Sequence, residues 1–277
     1  MDRKQITEAN RAAWNEAAPL HRSQNFARLK EDFSKSGHSC LNEVETAILT
    51  NLDVCGKDVA QLCCNNGQEL LSVRNLGAAR CVGFEGAEGF VGQARELAEA
   101  GGIDAEFVCT NMYDIDPVYN SSFDLVTITI GVLSWMPDLA GFFAVANRLL
   151  RPDGAFFIYE QHPILEMFHV GEAGDPVDWE LSYFKRDAYV DKNGLDYYGG
   201  GTYESKPLYS YVHKISDVIM AGVDLGYAID HFEERPEHIS NTWYNVEAHE
   251  HRMPMSFTLV FRKPSNGDPD GKNRRTG

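Results

Sequence analysis

Asp58-Val59-Ala60-Gln61-Leu62-Cys63-Cys64-Asn65-Asn66-Gly67-Gln68-Glu69-Leu70-Leu71 decides the fold of this 277-residue chain. It reads as a buried strand, a tight polar turn with one glycine, and the start of a helix. A second apolar run, Cys81-Val82-Gly83-Phe84, follows about 20 residues on and ends on an acid, Glu85. An open α/β sheet offers itself to a nucleotide in this way. Backbone N–H groups stand free at the helix N-terminus, and a carboxylate at the end of the next strand accepts from the ribose. Glycines that would let the turn adopt positive φ are replaced here. Asn tolerates the left-handed region best after Gly, so Asn65 and Asn66 are the expected substitutes, and Cys63 adds only a small side chain.

Outward from this stretch, strands and helices alternate. Strands are expected at 58–63, 81–85, 105–109, 123–129 and 155–160, with helices at 67–75, 87–100 and 138–150. Near-continuous apolar strands separated by helices predict a parallel sheet covered on both faces. Ahead of it lie two further helices, 6–19 (capped by Thr7 or Asn10) and 41–52. After His162 the pattern changes to a stretch rich in Tyr, Gly and Asp. There, Asp191-Lys192-Asn193-Gly194 suggests a hairpin turn. A helix at 216–226, capped by Ser216, and strands at 227–232 and 256–262 close the chain. The expected organisation is an N-terminal helical lid (1–40), a core (41–162 and 215–263), an inserted cap (163–214) and a disordered tail (264–277).

The formal net charge is −16. An acidic surface repels phosphate backbones and anionic lipid, which argues against nucleic-acid and membrane partners. No apolar run approaches the roughly 18 residues of a membrane span, and Met1-Asp2-Arg3-Lys4-Gln5 opens no signal region. The six cysteines, scattered without a C-x-x-C pair, read as buried free thiols of a cytoplasmic protein. Adjacent Cys63 and Cys64 point to opposite faces of a strand, and Glu247-Ala248-His249-Glu250-His251 reads as a solvated loop, so no metal site is expected.

The ordered segments resemble class I S-adenosylmethionine-dependent methyltransferases of the small-molecule type. Gln61-Leu62-Cys63-Cys64-Asn65-Asn66-Gly67 is similar to that family's Asp-x-Gly-x-Gly-x-Gly loop. Cys81-Val82-Gly83-Phe84-Glu85, Asn111-Met112-Tyr113-Asp114, Phe123-Asp124-Leu125-Val126 and Leu149-Leu150-Arg151-Pro152-Asp153-Gly154-Ala155 resemble its later segments. Asn10-Arg11-Ala12-Ala13-Trp14 is similar to the start of many small-molecule members. The resemblance implies a Rossmann-like, doubly wound, mostly parallel seven-stranded sheet with a terminal antiparallel hairpin and an inserted substrate-cap region. It implies S-adenosyl-L-methionine as cofactor and S-adenosyl-L-homocysteine as product. Gln61, Cys63, Asn65, Gly67, Glu85, Gly86, Asn111, Met112, Ile130 and Gly131 would bind the cofactor. Glu85 would take the ribose hydroxyls and Met112 would lie on the adenine. Asp114 is an acceptor for the adenine amine or a turn cap. Gln61 stands where the family carries an acid toward the methionine ammonium.

The expected reaction is direct displacement onto O or N of a small aromatic or heterocyclic metabolite by a monomer or homodimer. A general base helps a poor nucleophile. His162, after the fifth strand at the ligand-binding edge, is the candidate, with Glu160 orienting it or replacing it. Trp14 would face the sulfonium or anchor the lid. Trp179, Tyr183, Phe184, Tyr189, Tyr197 and Tyr198, with the tyrosines of 203–211, would roof the acceptor pocket. Two other readings compete: an inactive cofactor-binding relative and a nicotinamide-dependent oxidoreductase. The second meets Leu70 where its fingerprint needs a third glycine.

Overall fold

The computed structural model describes residues 1–196, 201–240 and 242–265. Helix α1 (Arg3–His21) runs through one π-turn into α2 (Ala27–Phe33), and α3 (Glu43–Asn51) follows. Then come β1 (Asp58–Leu62), α4 (Gln68–Asn75), β2 (Arg80–Glu85), α5 (Glu88–Gly101), β3 (Glu106–Cys109), β4 (Phe123–Ile128), α6 (Leu139–Leu149) and β5 (Leu150–Gln161). The remainder comprises a small pair, β6 (Tyr189–Asp191) and β7 (Leu208–Ser210), then α7 (Ile215–Val223), β8 (Ala228–Arg235), α8 (Tyr244–Glu247) and β9 (Ser256–Arg262).

Seven strands form one sheet in the order β3-β2-β1-β4-β5-β9-β8. The first five are parallel, and β9 is antiparallel to both neighbours. The order reverses between β1 and β4, which opens a crevice at their carboxyl ends where such sheets take ligands. The parallel part is what the apolar runs predict, and the doubly wound sheet with a terminal antiparallel hairpin is what the family resemblance implies.

Alternation along each strand sends residues to two cores. Leu62, Phe84, Val126, Phe156 and Ile158 pack with Phe142 and Phe143 of α6. Val59, Cys81, Leu125 and Phe157 pack with Leu71 of α4 and Val91 and Leu97 of α5. Fully burying one such Phe or Leu contributes about 1.5–3 kcal/mol, so both faces hold the crevice rigid.

Several expectations change at the helix ends. Asp2, not Thr7 or Asn10, caps α1, exchanging hydrogen bonds with Gln5. That frees Thr7 and Asn10 to face other elements. Asn42 and Glu45 form a second capping box on α3. Ser216 lies inside α7, whose first flanking residue is Lys214. Strand β5 begins at Leu150 rather than 155, because the Arg151-Pro152-Asp153-Gly154 turn is a register irregularity within the β4–β5 pairing. The cysteines are free, but Cys40, Cys55 and Cys109 are exposed rather than buried. No helix among the described residues is long and apolar enough to cross a membrane. Most of the expected tail, with Tyr197 and Tyr198, lies outside the described residues.

Candidate active site

A cavity of about 460 Å³ opens at the carboxyl edge of β1, β2, β4 and β5. Its floor is the loop after β1. Cys63 (φ 54°), Asn65 (φ 49°) and Gly67 (φ 75°) all adopt the left-handed conformation. Those are the three positions where the family loop has glycine. Asn65 fits the expectation; Asn66 does not, being absent from the positive-φ residues. Cys63 takes the strained conformation without the local hydrogen bonding an Asn would have. Cys63 and Asn65 line the cavity, and Gly67 sits behind them as the residue before α4. A Cβ on Gly67 would stand 2.5 Å from Phe107 Cε1, so glycine is required there by space as well as by φ.

Glu85 ends β2 and lines the cavity. One carboxylate oxygen accepts from the Asn65 N–H (3.0 Å), the other from the Ala87 N–H (2.8 Å). Burial pushes its pKa up, and these backbone donors partly offset the rise. Each oxygen keeps a second lone pair for a ligand. Gln61 lies beneath the floor, 1% exposed. Its amide donates to the Thr129 hydroxyl, 3.1 Å away, on the cavity wall. The Gln61 side-chain oxygen is buried without a partner among the described residues. An unmade bond there costs about 1–3 kcal/mol, so a donor is called for.

Past β3, Asn111 and Met112 line the opposite wall. The Asn111 side-chain oxygen Oδ1 accepts from the Tyr113 N–H, and its side-chain NH₂ donates to the Thr7 hydroxyl at 2.7 Å. This bond ties α1 across the mouth. Asn10 is tied further along, to β7: its amide donates to the Tyr209 carbonyl, and its oxygen accepts from the Tyr209 N–H. Asp114 is exposed and does not reach the cavity; of its two expected roles the adenine contact is withdrawn. Gly86, Ile130 and Gly131 (φ 84°) also line the wall.

Glu160 has a role that sequence reasoning missed. One oxygen accepts from the N–H groups of Gly131 and Gln161, the other from Val132 (2.7 Å) and Leu133 (3.1 Å). Four donors require both oxygens as acceptors, so the group is a carboxylate that clamps the loop after β4. Burial pushes its pKa up, and these four donors pull it back only part way. It neither orients His162 nor faces a substrate. The His162 ring is buried and outside the large cavity. Its Nδ1 accepts from the Ile164 N–H at 3.2 Å, and Nε2 meets Glu234 at 3.0 Å. Burial lowers its pKa, with Glu234 acting in opposition. Both ring nitrogens are engaged in structure, and the expectation of His162 as base gives way for that reason.

The aromatic wall also differs from expectation. Trp14, Tyr113, Trp135 and Trp243 line the cavity, while Trp179 and Phe184 are 73% and 74% exposed. Of the inserted pair, β7 is held to α1 and adds Ser210 to the cavity wall, and α1 supplies the aromatic part of the roof through Trp14. Trp14 stands edge-on to Trp135 (5.7 Å, 87°) and to Phe90. Glu166, on the turn after β5, also lines the cavity. Burial, with the charges of Glu160 and Glu180, raises its pKa to about 7. One sequence signal could have flagged it: Pro163-Ile164-Leu165-Glu166-Met167-Phe168 carries a single acid in an apolar turn.

The sheet order, the loop, the ribose-type acid and the clamped loop after β4 together define a class I S-adenosylmethionine-dependent methyltransferase domain, and this chain carries one. Residues 60–158 match the family model described as a methyltransferase domain. Over 106 residues the chain is 32% identical to a ubiquinone biosynthesis O-methyltransferase of Neisseria meningitidis, a match spanning 38% of this chain and 44% of that protein. An S-adenosylmethionine-dependent methyltransferase from Mesorhizobium loti superposes with a TM-score of 0.58 at 20% identity, covering 80% of this chain and 99% of its own. Geranyl diphosphate C-methyltransferase from Streptomyces coelicolor, solved with S-adenosyl-L-homocysteine, superposes with a TM-score of 0.55 at 11% identity, covering 80% of this chain and 79% of its own. The cofactor of this domain family is S-adenosyl-L-methionine. The residues fit it in type: a carboxylate with spare lone pairs and a polarizable thioether both line the cavity.

Proposed function

We propose that this chain transfers a methyl group from S-adenosyl-L-methionine to O or N of a compact aromatic or heterocyclic acceptor. One observation carries the proposal. A single cavity brings the spare lone pairs of Glu85, the Met112 thioether and the loop at 130–131 to the same space as Trp14, Trp135 and Trp243. The sulfonium supplies an activated methyl group, so the protein's work is alignment and exclusion of water. Glu85 accepts from both ribose hydroxyls. Met112 packs on the adenine. Gln61, under the floor, holds Thr129 on the cavity wall beside the methionine portion, with a dipole where relatives place a charge. The Ile130-Gly131 backbone, held by Glu160, flanks the methionine portion. Trp14 on the lid and Trp135 wall off solvent and give flat apolar surface to a planar acceptor. The likeness to an O-methyltransferase of Neisseria supports oxygen as the acceptor atom. Six free thiols are consistent with a reducing, cytoplasmic setting.

The test is release of S-adenosyl-L-homocysteine from S-adenosylmethionine, measured against simple phenols, catechols, hydroxylated heteroaromatics and arylamines. Turnover is expected among the hydroxyl- or amine-bearing rings. Tight cofactor binding without methyl transfer to any of them favours the inactive relative.

A further inference from the structure

A hydroxyl or amine acceptor carries a proton that must leave as the new bond forms, and the candidate groups can be sorted by what already occupies them. The Glu160 oxygens are taken by backbone N–H groups, three from the clamped loop and one from Gln161. His162 is tied at both nitrogens, and the small cavity it lines lies beside the large one. Glu69 accepts from the Gln68 amide at the head of α4, on the side of the β1 loop. His21 is bonded to the Leu195 carbonyl and packed edge-on against Trp14 and Phe90. Glu166 is different. Its side chain lies on the cavity wall with Gln161 and Trp135, and no hydrogen bond or ion pair reaches its carboxylate among the described residues. A largely buried carboxylate without a partner is costly to keep, and it points to a ligand donor.

We propose that Glu166 is the general base of the transfer and the group that selects a proton-bearing, uncharged or cationic acceptor. The inference rests on the methyl-transfer reading of the cavity. The acceptor's O or N lone pair forms the bond to the methyl carbon, and the C–S bond breaks with its electron pair passing to sulfur. The acceptor's proton moves to a Glu166 oxygen, leaving a neutral carboxyl that returns the proton to water. Glu166 shares the cavity with Glu69 and Glu85. An anionic acceptor would therefore meet like charge with little water to screen it.

Sinefungin tests this without knowledge of the acceptor. It is the cofactor analogue whose amine-bearing carbon replaces the methyl-bearing sulfur, so its ammonium projects toward the acceptor. Calorimetric titration of the full chain compares sinefungin with S-adenosylhomocysteine, for the wild type and Glu166→Gln. A charge-assisted bond is expected to make Glu166→Gln lose about tenfold or more in sinefungin affinity. S-adenosylhomocysteine affinity should change less than about twofold, which also shows that the variant is folded. Equal retention of both ligands overturns the assignment of Glu166 while leaving the cofactor site standing. Failure of the wild type to bind either ligand removes the methyl-transfer reading and this inference with it.

Discussion

Replacing Glu160 with Gln changes one oxygen of a carboxylate into an NH₂ group at almost constant volume. In the structure each oxygen accepts two backbone N–H groups. Whichever oxygen becomes NH₂, two buried N–H groups then face a donor, at about 1–3 kcal/mol each. The two bonds that survive lose their charge assistance, roughly halving their strength. Against this stands the desolvation penalty of a buried carboxylate, which the amide avoids. The net loss should be about 3 kcal/mol. In a chain of this size each kcal/mol moves Tm by roughly 2–4 °C, so thermal unfolding should shift down by about 6–12 °C. The same change releases the loop at 130–133 and should weaken S-adenosylhomocysteine about tenfold or more. Differential scanning fluorimetry and calorimetry read both effects. Unchanged or increased stability would refute the reasoning, since the desolvation saving would then outweigh the four donors.

Glu45, 5% exposed, has its pKa raised to about 7 by burial, with the Glu69 charge adding and the Asn42 N–H opposing. A carboxyl whose folded pKa is raised destabilises the fold in its ionised form. Its cost is absent below the unfolded value near 4.5 and grows as pH rises to about 7. Glu45→Gln should flatten that slope and gain up to about 3 kcal/mol at pH 8 relative to wild type; denaturant titrations at pH 5 and pH 8 check it, and an unaltered pH slope would contradict it. Gly67→Ala would set a Cβ against Phe107 and Ala94 at φ 75°, which should cost about 2–4 kcal/mol, read as a shift in denaturation midpoint; a neutral variant would mean that Phe107 moves aside.

The parallel strands were legible because they are apolar runs bounded by turn residues, whereas β8 is mostly polar and exposed and its place in the sheet came from the family resemblance. The cofactor loop was legible at Asn65 and Gly67, where residue type and left-handed backbone go together. At Cys63 backbone demand overrides residue preference, and only the fold reveals it. Glu85 followed from spacing along one strand–turn–helix unit. Glu160 did not, because three of its four donors come from a loop some 30 residues earlier in the chain, brought close only by β4–β5 pairing. The aromatic cap was misplaced for a related reason. Composition shows that aromatics are present, but the two bonds between Asn10 and Tyr209 hold β7 to α1 so that Ser210, and none of the expected tyrosines among the described residues, lines the cavity. His162 had the right position along the chain and the wrong neighbours.

The most direct test of the central claim, that this cavity holds S-adenosylmethionine through Glu85, is a calorimetric titration of S-adenosyl-L-homocysteine into wild type and Glu85→Ala, with NAD as the competing nucleotide. The predicted result is one site per chain in the wild type and no heat from NAD. Losing the bonds to both ribose hydroxyls, each to a charged acceptor, should reduce affinity at least about a hundredfold in Glu85→Ala. Binding of NAD alone, or equal affinity in the two proteins, would contradict it.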